Sequence, residues 1–243
     1  MNLIDEMLRE HKKLHFSLID PDCQTPGEAG QMAKACEEYG SNAIMVGGST
    51  VEDRKTVYDT IETIKGNVGL PVILFPNSAD SITENVEYIF FMKLLNSAGG
   101  RYNGEEQAKG APLVKKWGIK PISMGYIVIS TGEKPTSVEK RVQLDRIHVN
   151  DIDKAVSYAL QTETSGMSCV YLEAGSGAER PVSNEMIRAI RGKVDIPIVV
   201  GGGIRDGETA REKIDAGADV IVTGTVVEEN EGIIEEIVKR IQD

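Results

Sequence analysis

A single acid, Glu173, closes an apolar run in the stretch SCVYLEAGSGA at 168–178 and is followed at once by small residues. A buried strand gains nothing from a carboxylate at its tip, and small residues give up side-chain packing, so the pattern implies a ligand close to the backbone. Placed there, Glu173 suits a general base; paired with a nearby Arg or Lys, it would be purely structural. Asp20 and Asp22 flank Pro21 in a rigid DPD turn. Such hard oxygens suit Mg²⁺, which takes one or two protein carboxylates and completes its shell with water and substrate phosphate. The same spacing also suits Asp residues that merely shape a turn. Ser49 or Thr50, in GGST, offers a further oxygen, or an N-cap for the helical pattern that follows. Gly201, Gly202 and Gly203, together with Gly224 and Thr225, read as a phosphate cradle of backbone amides ahead of a helix.

These groups need a scaffold that gathers strand ends. Strand-like runs occur at 14–19, 42–46, 71–75, 88–92, 120–129, 168–172, 197–200 and 219–223. Several are apolar at consecutive positions, the pattern of parallel strands covered on both faces. Between most of them lie helical patterns, such as GEAGQMAKACEEYG ending on Gly40 and DGETAREKIDAGA, with Asp206 as N-cap and Gly217 at its stop. Eight such strands in 243 residues predict an α/β fold, a single (β/α)8 TIM barrel over 1–243, with a doubly wound sheet as the alternative. In such a barrel Asp20, Asp22, Ser49, Thr50, Glu173 and the glycines of the cradle fall at strand ends, on the face where active sites are built. The segment PNSADSITENVE (76–87) is too short for a full crossover helix, so the third helix is expected to be short or replaced by an irregular segment. That would leave either an ordinary loop or a slot for a long apolar ligand.

Composition narrows the function. A net charge of −11 opposes nucleic-acid binding, which needs a dense basic face, but not one bound phosphate. Cys23, Cys36 and Cys169 form no CxxC pair, so they are expected to be reduced rather than bridged or zinc-bound. No apolar run has the length of a membrane span and the N-terminus is too charged for a signal peptide, so the chain is expected to be cytoplasmic. His11, His15 and His148 fall outside the strand-end ring and read as structural or solvated, and Trp117 reads as a helix-packing residue.

Taken together, LIDPD, VGGST, YLEAGSGA, GGGIRD and GTVVEE, in this order and over about residues 11–240, resemble the geranylgeranylglyceryl phosphate synthases. These archaeal prenyltransferases join sn-glycerol 1-phosphate to a prenyl diphosphate. The resemblance implies Mg²⁺ as cofactor, held by Asp20 with Ser49 as second contact. It implies that Tyr171, Leu172, Glu173, Ala174, Gly175, Ser176 and Gly177 hold glycerol phosphate, with Glu173 as catalytic base. Gly202 and Gly203, with Gly224 and Thr225, would grip its phosphate. The partners implied are sn-glycerol 1-phosphate, a prenyl diphosphate (geranylgeranyl diphosphate first among them) and further copies of the chain in a homo-oligomer. Membrane contact would be peripheral, because no amphipathic anchor is evident.

Two segments depart from the family's pattern, the polar and glycine-rich 98–112 and the charged 130–151. They bear on donor length and oligomeric state. A phosphosugar isomerase or aldol-type barrel would share the cradle but needs a strand-end lysine; Lys93 and Lys120 are the nearest, and Lys120 begins a strand. A noncatalytic phosphate- or lipid-binding barrel is the remaining alternative.

Overall fold

In the computed structural model, which describes residues 2–50, 53–224, 226 and 232–243, eight parallel strands close into a barrel in sequence order. They are β1 (Leu14–Ile19), β2 (Ala43–Val46), β3 (Val72–Leu74), β4 (Tyr88–Leu94), β5 (Lys120–Val128), β6 (Cys169–Glu173), β7 (Ile198–Gly201) and β8 (Val220–Thr223). The ring is sealed by β1 on β8, with Leu14 opposite Val220 and Ser17 opposite Thr223. The chain is a TIM barrel, as its strand pattern predicts, and the doubly wound alternative is excluded by this closure.

Strand alternation sorts the apolar residues into layers. Phe16, Met45, Ile73, Phe90, Met124, Val199 and Val222 point inward and fill the barrel. Their neighbours Ile44, Leu74, Ile89, Ile127, Leu172, Val200 and Ile221 point outward against the helices. Helix α1 (Leu3–Glu10) plugs the N-terminal end with Leu3, Ile4 and Met7. That leaves the opposite end open for a site.

Local chemistry sets the outer helices. Helix α2 (Pro26–Glu38) starts in a capping box, where Thr25 and Glu28 satisfy each other's backbone amides and Pro26 occupies the first turn. Helices α3 (Arg54–Asn67), α4 (Glu105–Trp117), α5 (Ser137–Arg141), α6 (Ile152–Thr164) and α7 (Asn184–Arg191) follow in order. Helix α8 (Gly207–Asp215) is capped by Asp206, whose carboxylate accepts the Thr209 amide at 2.7 Å. Helix α9 (Ile233–Gln242) ends the chain.

The β3–β4 connection carries only a one-turn 3₁₀ segment, Ala79–Ser81. Ala79, Ile82 and Val86 anchor it to the outer core. Glu106, almost buried on α4, accepts the Ala79 amide at 2.9 Å and ties the segment to that helix. Burial alone would raise the Glu106 pKa, but the Ala79 amide with Lys109 and Arg101 outweighs it and holds the carboxyl below its usual range. The full crossover helix is thus absent here, and the wall beside β3 and β4 is thin. Trp117 packs in this layer with the Arg54 and Lys116 side chains over its ring, as a helix-packing residue.

Candidate active site

The strand ends surround a cavity of about 410 Å³ at the C-terminal mouth. Its polar part holds Asp20, Ser49, Glu173, Gly202, Gly203 and Gly224; an apolar arm continues past Phe91, Met92, Ile82 and Val142. The arm runs beside the 3₁₀ segment of the β3–β4 connection.

Glu173 is the last residue of β6 and is 7 % exposed. Its Oε1 accepts the Gly175 amide at 2.6 Å, and the hydroxyls of Tyr171 and Tyr126 also donate to the carboxylate. Burial pushes its pKa up, and those three donors pull against that rise. No ion pair reaches Glu173 among the described residues, so the salt-bridge alternative falls. Tyr126 was not distinguishable in sequence from any core aromatic of a strand. The register that sets Tyr126 opposite Tyr171 brings their rings to 5.1 Å, edge to face, with Phe75 against both.

Gly202 and Gly203 adopt φ of 80° and 72°, which L side chains rarely tolerate. A Cβ on Gly202 would lie 2.5 Å from Glu173 Oε1, so the cradle after β7 abuts the carboxylate. Gly224 lines the cavity at the end of β8. Thr225 lies outside the described residues. Within 171–177, Tyr171, Glu173, Gly175, Ser176 and Gly177 line the cavity. Leu172 and Ala174 do not; their side chains pack in the outer core, and the Ala174 amide is spent on Gly201 O at 3.0 Å. Strand alternation turns every second side chain of that stretch away from the cavity.

Asp20 lines the mouth half-buried, and Gly48 packs so closely that a Cβ there would lie 2.0 Å from Asp20 Oδ2. Burial raises the Asp20 pKa, the Asp22 amide lowers it, and the Asp22 charge raises it again. Among the described residues Asp20 has no cationic partner, and Ser49, next to Gly48, lines the same mouth. One uncompensated carboxylate with a hydroxyl beside it fits a Mg²⁺ ion that brings its own phosphate oxygens. It does not make an all-protein cage: no cluster of three or more His, Cys, Asp or Glu occurs among the described residues. Asp22 is not in the lining and accepts the Thr50 hydroxyl at 2.7 Å. Asp22 thus ties the loop after β1 to the loop after β2, while the turn itself is shaped by Asp20, whose Oδ1 accepts the Asp22 amide at 3.0 Å.

The remaining expectations divide cleanly. Cys23, Cys36 and Cys169 form no disulfide among the described residues. His11 and His148 are exposed, whereas His15 is buried. Lys120 begins β5 and pairs with Glu87, and no lysine lines the cavity among the described residues. Arg141 and Arg205 supply the cations of the described lining. Glu106 also lines it, and nothing in a helix of ordinary composition distinguished that residue in sequence.

Fold and site together define a TIM barrel whose open end joins a buried carboxylate, a glycine cradle and an apolar arm. The chain belongs to the PcrB family, whose model matches residues 6–242. It is 48 % identical over 233 residues to the geranylgeranylglyceryl phosphate synthase of Pyrococcus horikoshii, covering 96 % of this chain and 90 % of the relative. The synthase of the same name from Methanothrix thermoacetophila is 48 % identical over 217 residues, covering 89 % and 84 %. Among solved structures, that of the Thermoplasma acidophilum (S)-3-O-geranylgeranylglyceryl phosphate synthase in complex with its substrate sn-glycerol-1-phosphate superposes with a TM-score of 0.94. It is 37 % identical and covers 100 % of this chain and 99 % of that one. An N-acetylmannosamine-6-phosphate 2-epimerase from Clostridium perfringens, at 17 % identity and a TM-score of 0.60, shares the fold alone.

Proposed function

We propose that the protein is a prenyltransferase that forms an ether bond between the primary hydroxyl of sn-glycerol 1-phosphate and a prenyl diphosphate, with geranylgeranyl diphosphate as the foremost donor. The observation that carries this reading is one continuous cavity in which a buried carboxylate, a glycine cradle and a lone aspartate open into an apolar arm. A phosphosugar isomerase needs no such arm, and no lysine lines the cavity among the described residues. The relatives' names and the ligand of the Thermoplasma acidophilum structure point the same way.

In this reading Gly202, Gly203 and Gly224 present backbone amides to the acceptor's phosphate, and the fixed distance to Glu173 orients its free hydroxyl. Thr225 has the same role by resemblance. Gly175, Ser176 and Gly177 leave room for the glycerol backbone beside Glu173. The hydroxyl oxygen attacks the allylic carbon of the donor as that carbon's bond to the diphosphate breaks, and Glu173 receives the hydroxyl proton. The Tyr126 and Tyr171 hydroxyls keep the carboxylate aimed. Asp20 and Ser49 would hold Mg²⁺, which supplies charge neutralisation for the departing diphosphate. Phe91, Met92 and Ile82 would line the path of the prenyl chain. No helix of the described residues is long and apolar enough to cross a membrane, so contact with lipid would be peripheral. We further infer a cytoplasmic homo-oligomer, on the family resemblance.

The test is incubation of the purified protein with sn-glycerol 1-phosphate, Mg²⁺ and prenyl diphosphates of increasing length, followed by mass analysis of the lipid extract. A prenylglyceryl phosphate that vanishes with EDTA supports the reading. Binding of glycerol phosphate without ether formation from any donor would make this a phosphate-ligand barrel and refute it.

A further inference from the structure

His15 lies in the barrel wall rather than its mouth, and no solvent reaches it. Its Nδ1 meets Ser41 Oγ and its Nε2 meets Thr223 Oγ1, each at 2.9 Å. Ser41 Oγ in turn meets Ser17 Oγ at 2.8 Å. Burial pushes the His15 pKa down to about 3, so the ring is neutral and offers one donor and one acceptor. Three polar side chains of the β1–β8 seam, His15, Ser17 and Thr223, thus join Ser41 from the turn before β2, where apolar ones would pack. A satisfied buried network adds little net stability over apolar residues of the same shape, but it fixes geometry.

The geometry in need of fixing is at Thr223. On the β7 side the β8 ladder ends with Gly201 opposite Val222, one residue short of Thr223. On the β1 side the last pair is Ser17 with Thr223. Thr223 and the next residue, Gly224, both line the cavity. The His15 hydrogen bond thus grips β8 where its ladder runs out, directly before a glycine of the cradle. If Ser17 donates to Ser41 and Ser41 to Nδ1, then Nε2–H donates to Thr223, and every donor in the chain runs toward that strand end.

We propose that His15 is a positioning residue for phosphate binding: through Thr223 it holds the end of β8 so that the backbone at Gly224 meets the acceptor's phosphate. The inference rests on the functional reading above and deepens it.

The test uses full-length His15→Leu, His15→Gln and Thr223→Val proteins and the double variant. Each is titrated calorimetrically with sn-glycerol 1-phosphate and with inorganic phosphate, alongside KM, kcat and Tm. His15→Leu and Thr223→Val should each weaken glycerol phosphate binding and raise its KM about tenfold, with kcat at saturation within about twofold, the effect of one ground-state contact. The double variant should bind no worse than either single, since both break one link. His15→Gln, whose amide N–H reaches where Nε2 stood, should restore most of the affinity. Unchanged affinity in His15→Leu with a lowered Tm would overturn the proposal, as would losses that add in the double variant. If His15→Leu fails to fold, His15→Gln against His15→Asn decides, because Asn reaches only the Ser41 side; equal affinity for both would overturn it. Should the wild type bind no sn-glycerol 1-phosphate, the functional reading fails, and the phosphate titration still reads the effect of His15 on the cradle.

Discussion

Replacing Glu173 by Gln removes the charge and the proton acceptor while preserving nearly everything else around them. The amide oxygen can still accept the Gly175 amide that now sits 2.6 Å from Oε1, so the loop after β6 keeps its anchor. The new NH₂ group cannot accept from the Tyr126 and Tyr171 hydroxyls, and one of them must turn to accept instead. Against that small loss stands the relief of no longer burying a carboxylate, so Tm should not fall. Catalysis behaves differently. Removal of a positioned general base costs typically about 10²–10⁴-fold, and of the other carboxylates in the described lining Asp20 follows β1 and Glu106 is engaged by the Ala79 amide, whereas Glu173 abuts Gly202. Single-turnover ether formation, measured by mass analysis of the lipid product, should fall by that factor. Calorimetric affinity for sn-glycerol 1-phosphate should change by less than about threefold, because the cradle amides are untouched. Turnover within about tenfold of wild type would refute Glu173 as the base. A parallel collapse of affinity and turnover would instead make it a binding group.

The raised Glu173 pKa also predicts pH behaviour. The carboxylate must be ionised to act, so kcat/KM should fall on the acid side through a pKa above the ordinary 4.5, a limb that a pH–rate profile locates and Glu173→Gln abolishes. The same shift favours folding with the proton on. Its stabilising contribution is therefore full below the unfolded-state pKa and lost as pH rises through the folded one, so the Tm advantage of Glu173→Gln should grow toward neutral pH. Gly202→Ala places a Cβ 2.5 Å from Glu173 Oε1 at a φ of 80°; it should lower stability by about 1–2 kcal/mol in denaturant melts and weaken glycerol phosphate binding. Asp20→Asn, or EDTA on the wild type, should abolish ether formation yet leave sn-glycerol 1-phosphate bound, as calorimetry would show. Ala79→Phe fills the apolar arm beside the 3₁₀ segment and should shift donor preference toward shorter prenyl chains in competition assays.

What the residues determined by themselves is the part of the protein governed by local rules. Continuous β-branched runs set eight strands, Thr25 and Asp206 set helix starts, and the short 76–87 segment announced the missing helix. Because a TIM barrel gathers strand ends, Asp20, Ser49, Glu173 and the glycines after β7 and β8 could be assigned to one mouth from order alone. Tertiary structure decided what depends on register and packing. Strand alternation turned Leu172 and Ala174 into the outer core while Glu173 faced the cavity. The β5–β6 register set Tyr126 beside Tyr171 and Glu173, and closure of β1 on β8 joined His15 to Thr223 across 208 positions of sequence. Likewise the tie between Asp22 and Thr50, and that between Glu106 and Ala79, each join a strand-end loop to another element. Such partners are chosen by side-chain direction in a closed sheet, and no spacing along a single strand encodes which neighbour will stand opposite.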